Sequence, residues 1–154
     1  MHEPISLSAM IRSGGVHYNV SGSRPEQVFS DLASRVSLPP AVSKGVFLTG
    51  LIERERLMTT AVGNGIALPH PRTPLISDRG DERVYVCFLD KPVNFESLDG
   101  KPVYALFVLL SADSQTHLRT LSQLSYLFQQ EEFRSFLRKK PDTEELIDAI
   151  QKYL

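Results

Sequence analysis

Two of the four histidines in this 154-residue chain stand where an imidazole could do chemistry. His70 sits in the stretch GIALPHPRTP, Gly65 to Pro74, where an apolar run stops at a histidine wedged between Pro69 and Pro71, with Arg72 next. Imidazole is a competent nucleophile and phosphoryl acceptor near neutral pH. Pro69 has a fixed φ and no N–H, and Pro71 pushes the preceding histidine toward extended geometry. A group held in one orientation need not be ordered again at each turnover. On pattern alone a histidine at a strand end is more often structural. The strand end itself, where α/β sheets place their sites, and the stiffness on both sides argue for function. His117 opens a predicted helix, and steps of about 100° per residue put it on the face of Leu121, Leu124 and Phe128. Two readings of it stay open. It is a buried histidine with one hydrogen bond, or an imidazole at a helix N-terminus facing the strand ends, where free N–H groups and the helix dipole favour an anion. Arg54 lies in LIERERL, and composition alone reads Glu53, Arg54, Glu55 and Arg56 as a solvated charge cluster.

Other chemistries lack their signatures. His2, His17, His70 and His117 show no metal-ligand spacing and have no cysteine partner, so no metal is expected. Cys87 lies in an apolar strand and reads as core. Gly63-Asn64-Gly65 is not followed by a Lys-Ser/Thr pair and is not a phosphate-binding loop. No serine sits on a nucleophile elbow, and no cofactor motif is present.

The elements that must position the histidines read as follows. ISLSAMI, Ile5 to Ile11, alternates apolar and small polar residues and suits a short strand. A Gly14-Gly15 turn and a second strand, VHYNV, follow. Ser23-Arg24-Pro25-Glu26 fits a capping box for a helix with Val28, Phe29, Leu32, Ala33 and Val36 on one face. A second helix starts at Pro39-Pro40 and ends in RERLMTTAVGNG, with Gly45 and Gly50 explained by close packing. Asn64-Gly65 is a turn, and IALPH is a buried strand ending at His70. Arg83 to Asp90 is a strand. PVYALFVLLSA is a strand covered on both faces, as central strands of α/β sheets are. Asp113 or Ser114 caps the helix of His117. A short helix, EEFRSFLRKK, stops at Pro141, and Asp142 with Glu145 caps the last one. The order predicts a single α/β domain over residues 1–154, a mixed sheet flanked by α-helices.

Composition narrows the class. The formal net charge is −1, so charge does not favour a nucleic-acid partner. A single cysteine cannot form an internal disulfide, which suits a reducing cytoplasm. The N-terminus shows no basic leader with a long apolar core, and the apolar runs are far too short to span a bilayer. A soluble cytoplasmic protein without direct membrane insertion is expected, any membrane role coming through a partner.

RERLMTTAVGNGIALPH closely resembles the phosphorylation-site motif of the mannitol/fructose class of enzyme IIA, the phosphocarrier domains of the bacterial phosphoenolpyruvate-dependent phosphotransferase system. DSQTHLRTLSQLSYLF resembles the second signature of that family, a histidine opening a helix. The subgroup most resembled is the standalone nitrogen-regulatory enzyme IIA. The resemblance implies that His70 is the phosphorylated histidine, carrying phosphate on Nε2. It implies that His117 and Arg54 support the phosphoryl group and that the donor is a small histidine-phosphorylated carrier of the HPr type. The acceptor or output is a regulatory target or, in a sugar-transport enzyme IIA, a cysteine on a IIB protein. A non-catalytic binding module of the same fold is a third reading. One residue departs from the pattern: the family usually follows its histidine with glycine or another small residue, and here it is Pro71. Proline cannot donate a backbone N–H to phosphate, so Arg72 is a candidate substitute donor.

Overall fold

Every residue of the apolar run Val103–Leu110, strand β5, is buried, as expected of a strand that lies at the centre of its sheet. In this computed structural model, which describes residues 5–154, β5 has β4 (Arg83–Val93) on one side and β3 (Ile66–Ala67) on the other. The sheet is completed by β1 (Val16–Val20) beside β4 and β2 (Ala61–Gly63) beside β3, giving the order β1-β4-β5-β3-β2. The pairs β1/β4 and β3/β5 are parallel, while β4/β5 and β2/β3 are antiparallel. Residues 1–4, and with them His2 and the start of the N-terminal reading, lie outside the described residues.

Strand alternation divides the core into two layers. Val84, Val86, Phe88, Ala105, Phe107 and Leu109 pack on one face of the sheet. They meet the helices α1 (Leu7–Gly14), α4 (Ser114–Gln129), α5 (Glu131–Leu137) and α6 (Thr143–Tyr153). Tyr85, Cys87, Leu106, Val108 and Leu110 pack on the other face against α2 (Pro25–Arg35) and α3 (Lys44–Leu57). The expected mixed sheet flanked by helices is present, and Cys87 is wholly buried in it. Burial pushes its thiol up to about 12, which removes it as a nucleophile near neutral pH.

Local signals account for most boundaries. Asp113 caps α4 by accepting from the Thr116 N–H at 2.8 Å. Asp142 and Glu145 form the predicted reciprocal box at the start of α6. Four expectations are corrected. ISLSAMI is not a strand: Ser6 Oγ accepts from the Ala9 N–H at 3.1 Å and starts α1, and Leu7, Met10, Ile11 and Gly14 are buried at helical spacing. The alternation of Ile5, Leu7, Ala9 and Ile11 competes with that spacing, and the cap decides. The first residue before α2 is Arg24, whose side chain makes no cap. Ser23 instead bonds Gln27 Oε1 through its N–H and its hydroxyl, at 2.9 and 2.7 Å. The helix expected from Pro39-Pro40 begins only at Lys44, because Ser43 Oγ takes the Val46 N–H and sets the start there. Finally, β3 ends at Ala67, and Leu68 to His70 run on beyond the regular ladder.

Gly63, Asn64 and Gly65 all have positive φ in the β2/β3 turn, and Gly65 is the most tightly packed of them. Gly65 has φ +82°, and a Cβ there would lie 2.7 Å from the Tyr104 ring. The sheet thus closes over the turn that leads into His70. Gly65→Ala combines a left-handed backbone penalty with that clash. It should destabilise the protein by about 2 kcal/mol, read as a lowered urea midpoint with an unchanged slope.

Candidate functional site

His70 lies just past the carboxyl end of β3, next to the carboxyl end of β5, to which β3 is parallel. Its mount is built from backbone hydrogen bonds. The Leu68 N–H donates to the Thr60 carbonyl at 3.0 Å, and the Leu109 N–H donates to the Pro69 carbonyl at 2.9 Å. Pro69 is buried and its missing N–H leaves no orphan donor. The ring is fixed by its own chain, with Nδ1 2.8 Å from the Leu68 carbonyl oxygen. A carbonyl oxygen can only accept, so Nδ1 carries the proton and donates. In a neutral ring Nε2 then keeps its lone pair.

His117 comes to the same place from the other side. It sits on the first turn of α4, and its ring centroid is 4.5 Å from that of His70, with the planes at 54°. Leu124 and Phe128 on its helix face are buried, but His117 itself is only partly so. Its Nδ1 is 3.3 Å from Ser111 Oγ. Of the two readings left open by the sequence, the structure gives an imidazole that lines a cleft and also has a hydrogen-bond partner.

Arg54 arrives from the opposite helical layer, at the last turn of α3, where its Nη1 donates to the Met58 carbonyl at 2.7 Å. The charged run around it is not a uniformly solvated cluster. Glu55 accepts from the N–H and hydroxyl of Thr60, at 2.8 and 2.6 Å, and so ties the end of α3 to the residue that holds Leu68. Arg56 pairs with Glu26 on α2 at 2.8 Å. Arg54 alone of the two arginines lines the cleft with His70 and His117.

The cleft has a volume of about 350 Å³ and is also lined by Pro71, Arg72, Ser111, Asp113 and Ser114. Arg72 is exposed at its rim. A shallow groove of about 610 Å³ adjoins it along α3 and shares Pro71 and Arg72 as walls. Pro71 has a packing role that the sequence did not reveal. A Cβ on Gly50 of α3 would lie 3.2 Å from Pro71 Cβ, so Gly50 lets the His70 loop press close against the helix that carries Arg54. Close packing therefore explains Gly50. It does not explain Gly45, where a Cβ would meet open space.

The electrostatics keep both rings neutral near pH 7. Burial lowers the His70 pKa from 6.5, the Leu68 carbonyl opposes this by holding the ring N–H, and the Arg54 charge lowers it further. Burial, then His70, then Arg54 bring His117 down to about 4. The result is a nucleophilic nitrogen beside a second imidazole and a fixed cation, at the end of a sheet. That arrangement suits capture and release of an anionic group. Besides the packing role of Pro71, sequence reasoning missed Ser111 and Glu82. Ser111 directly follows β5, which is parallel to β3, and that position was the available signal. Glu82 is buried and accepts the Ala112 N–H at 2.9 Å, a contact across sequence that no local pattern announces.

Residues 9–153 match the family described as phosphoenolpyruvate-dependent sugar phosphotransferase system, EIIA 2, and the chain belongs to that family. It is a phosphotransferase component, a carrier of phosphohistidine. It is 35% identical over 150 residues to a nitrogen regulatory protein of Pseudomonas aeruginosa, covering 95% of each chain. It is 24% identical over 154 residues to a PTS system fructose-specific EIIABC component of Bacillus subtilis, spanning 97% of this chain and 24% of that one. Among solved structures, the nitrogen regulatory protein IIA-Ntr from Neisseria meningitidis superposes with a TM-score of 0.77, at 25% identity and 94% coverage of both chains.

The depressed histidine pKa values make stability pH-dependent. Below 6.5 the unfolded chain takes up protons that folded His70 and His117 resist, so folding is opposed increasingly as pH falls from 6.5 toward about 4. This window lies above that of Asp99, which three hydrogen bonds, the Asn64 N–H first, hold down to about 2. Urea denaturation between pH 7 and pH 4.5 should show unfolding free energy falling with acidity, and His117→Gln should flatten that slope. An equal slope in the variant would show that His117 does not contribute.

Proposed function

We propose that His70 Nε2 accepts a phosphoryl group from a histidine-phosphorylated carrier of the HPr type, with His117 and Arg54 stabilising the group in transit, and that the output is regulatory. The observation that carries this reading is the Nδ1 hydrogen bond to the Leu68 carbonyl, which reserves Nε2 for attack. In the transfer, Nε2 of His70 forms the new N–P bond as the bond to the donor imidazole breaks, and the electron pair of that bond returns to the donor nitrogen. Such a reaction asks the protein for in-line placement and charge stabilisation rather than covalent help. Arg54 supplies a permanent positive charge, and His117 supplies a ring N–H. Pro71 donates no backbone N–H, and Arg72, an exposed residue of the cleft lining, is the candidate substitute donor.

The regulatory output is supported by the 35% identity, over nearly the full length of both chains, to a nitrogen regulatory protein. The fructose-specific relative supports a second reading, in which the chain passes phosphate to a IIB cysteine in sugar transport. Under either reading the protein would act in the cytoplasm, with its partners. Among the described residues no helix is long and apolar enough to cross a membrane.

The protein, incubated with enzyme I, phosphoenolpyruvate and candidate carriers, should acquire one labile phosphoryl group, and the preferred carrier separates the two readings. His70→Ala should take up none. Arg54→Gln should slow uptake by roughly a hundredfold, whereas Arg56→Gln should leave it within about twofold because that side chain is engaged with Glu26 on the surface. Undiminished uptake by His70→Ala would refute the assignment.

A further inference from the structure

We propose that Ser111 is a positioning residue for this transfer: its hydroxyl donates to Nδ1 of His117 and so holds that ring as the Nε2–H tautomer, the form able to donate from its other nitrogen to a phosphoryl group on His70. The proposal rests on the assignment of His70 as acceptor and adds what sets the donor beside it.

The geometry comes first. Ser111 Oγ lies 3.3 Å from His117 Nδ1, and both residues line the cleft that contains His70. A neutral imidazole has one N–H, so a hydrogen bond received at Nδ1 places the proton on Nε2. The two histidines are thus in opposite tautomers. His70 donates from Nδ1 to a carbonyl and keeps a lone pair at Nε2. His117 accepts at Nδ1 and keeps a proton at Nε2. With their centroids 4.5 Å apart, one ring offers the lone pair and the other the N–H that the same phosphoryl group requires. The reverse tautomer of His117 would set two lone pairs against an anion.

The hydroxyl is placed by a pinned loop. Ser111 starts the three-residue link between β5 and α4. The Ala112 N–H donates to Glu82 Oε2 at 2.9 Å, and Glu82 is buried. Asp113 accepts the Thr116 N–H at 2.8 Å and lies 3.4 Å from Arg79 Nη2. The residues after Ser111 are therefore fixed to the 3₁₀ turn Arg79–Asp81 and its following Glu82 on one side and to α4 on the other. This leaves the Ser111 side chain a constant position relative to the first turn of α4. The low pKa of His117, about 4, agrees with a ring that stays neutral and is governed by its tautomer near pH 7.

The test uses the full chain in two parts. First, long-range 1H–15N NMR of the unphosphorylated protein at pH 7.5 should show His117 as the Nε2–H tautomer in wild type. In Ser111→Ala it should shift toward Nδ1–H or a mixture, and Ser111→Thr should restore it. Second, phosphoryl uptake from the HPr-type donor should slow about tenfold in Ser111→Ala, the size of one net hydrogen bond, and recover in Ser111→Thr. An Nδ1–H tautomer in wild type, an unchanged tautomer in Ser111→Ala, or an unchanged uptake rate in that variant would each overturn the proposal. The tautomer is read without any donor. If wild type takes up no phosphate at His70, the transfer assignment fails, and the tautomer result still decides whether Ser111 sets His117.

Discussion

The site depends on one short hydrogen bond within a single loop: His70 Nδ1–H to the Leu68 carbonyl. It selects the tautomer, aims the ring and leaves the lone pair on Nε2. The surrounding structure serves to keep that carbonyl in place. The Leu68 N–H is held by Thr60, and Thr60 is held through both its N–H and its hydroxyl by Glu55 at the end of α3. The Pro69 carbonyl is tied to the central strand. A half-buried polar chain of this kind is worth more in geometric definition than in net stability, since each bond replaces one to water.

The second constraint is architectural. The sheet separates two helical layers, and their contributions to the cleft meet at its end. His117 belongs to the α1/α4/α5/α6 layer, Arg54 to the α2/α3 layer, and His70 to the segment that follows strand β3 between them. The Gly50–Pro71 contact keeps the α3 layer close to the His70 loop, and the Glu82 and Asp113 contacts fix the α4 side. Pro71 is thus accommodated by packing against α3. Having no N–H, it brings no backbone donor to the cleft.

Much of this was legible in the sequence, for definable reasons. The burial of Val103–Leu110, the caps Asp113 and Asp142, and the turn at Asn64-Gly65 are local signals, and each held. His70 stood out because proline flanks it on both sides. Arg54 could be separated from Arg56 only through resemblance, because the difference between them is whether Glu26, thirty residues away in sequence, claims the guanidinium. The same limit hid Ser111, Glu82 and the role of Pro71, which depend on neighbours brought together by the sheet. The ISLSAMI stretch failed because seven residues satisfied both periodicities, and the choice fell to Ser6, a single cap.

In the proposed transfer the Leu68 carbonyl leaves one nitrogen of His70, Nε2, for phosphorylation. Two-dimensional 31P and 15N NMR of the phosphorylated, uniformly 15N-labelled protein measures this directly. A single phosphohistidine is expected, at His70, with phosphorus bonded to Nε2 and the Nδ1 proton retained. Phosphorus on Nδ1 of His70, or on His117, would contradict it.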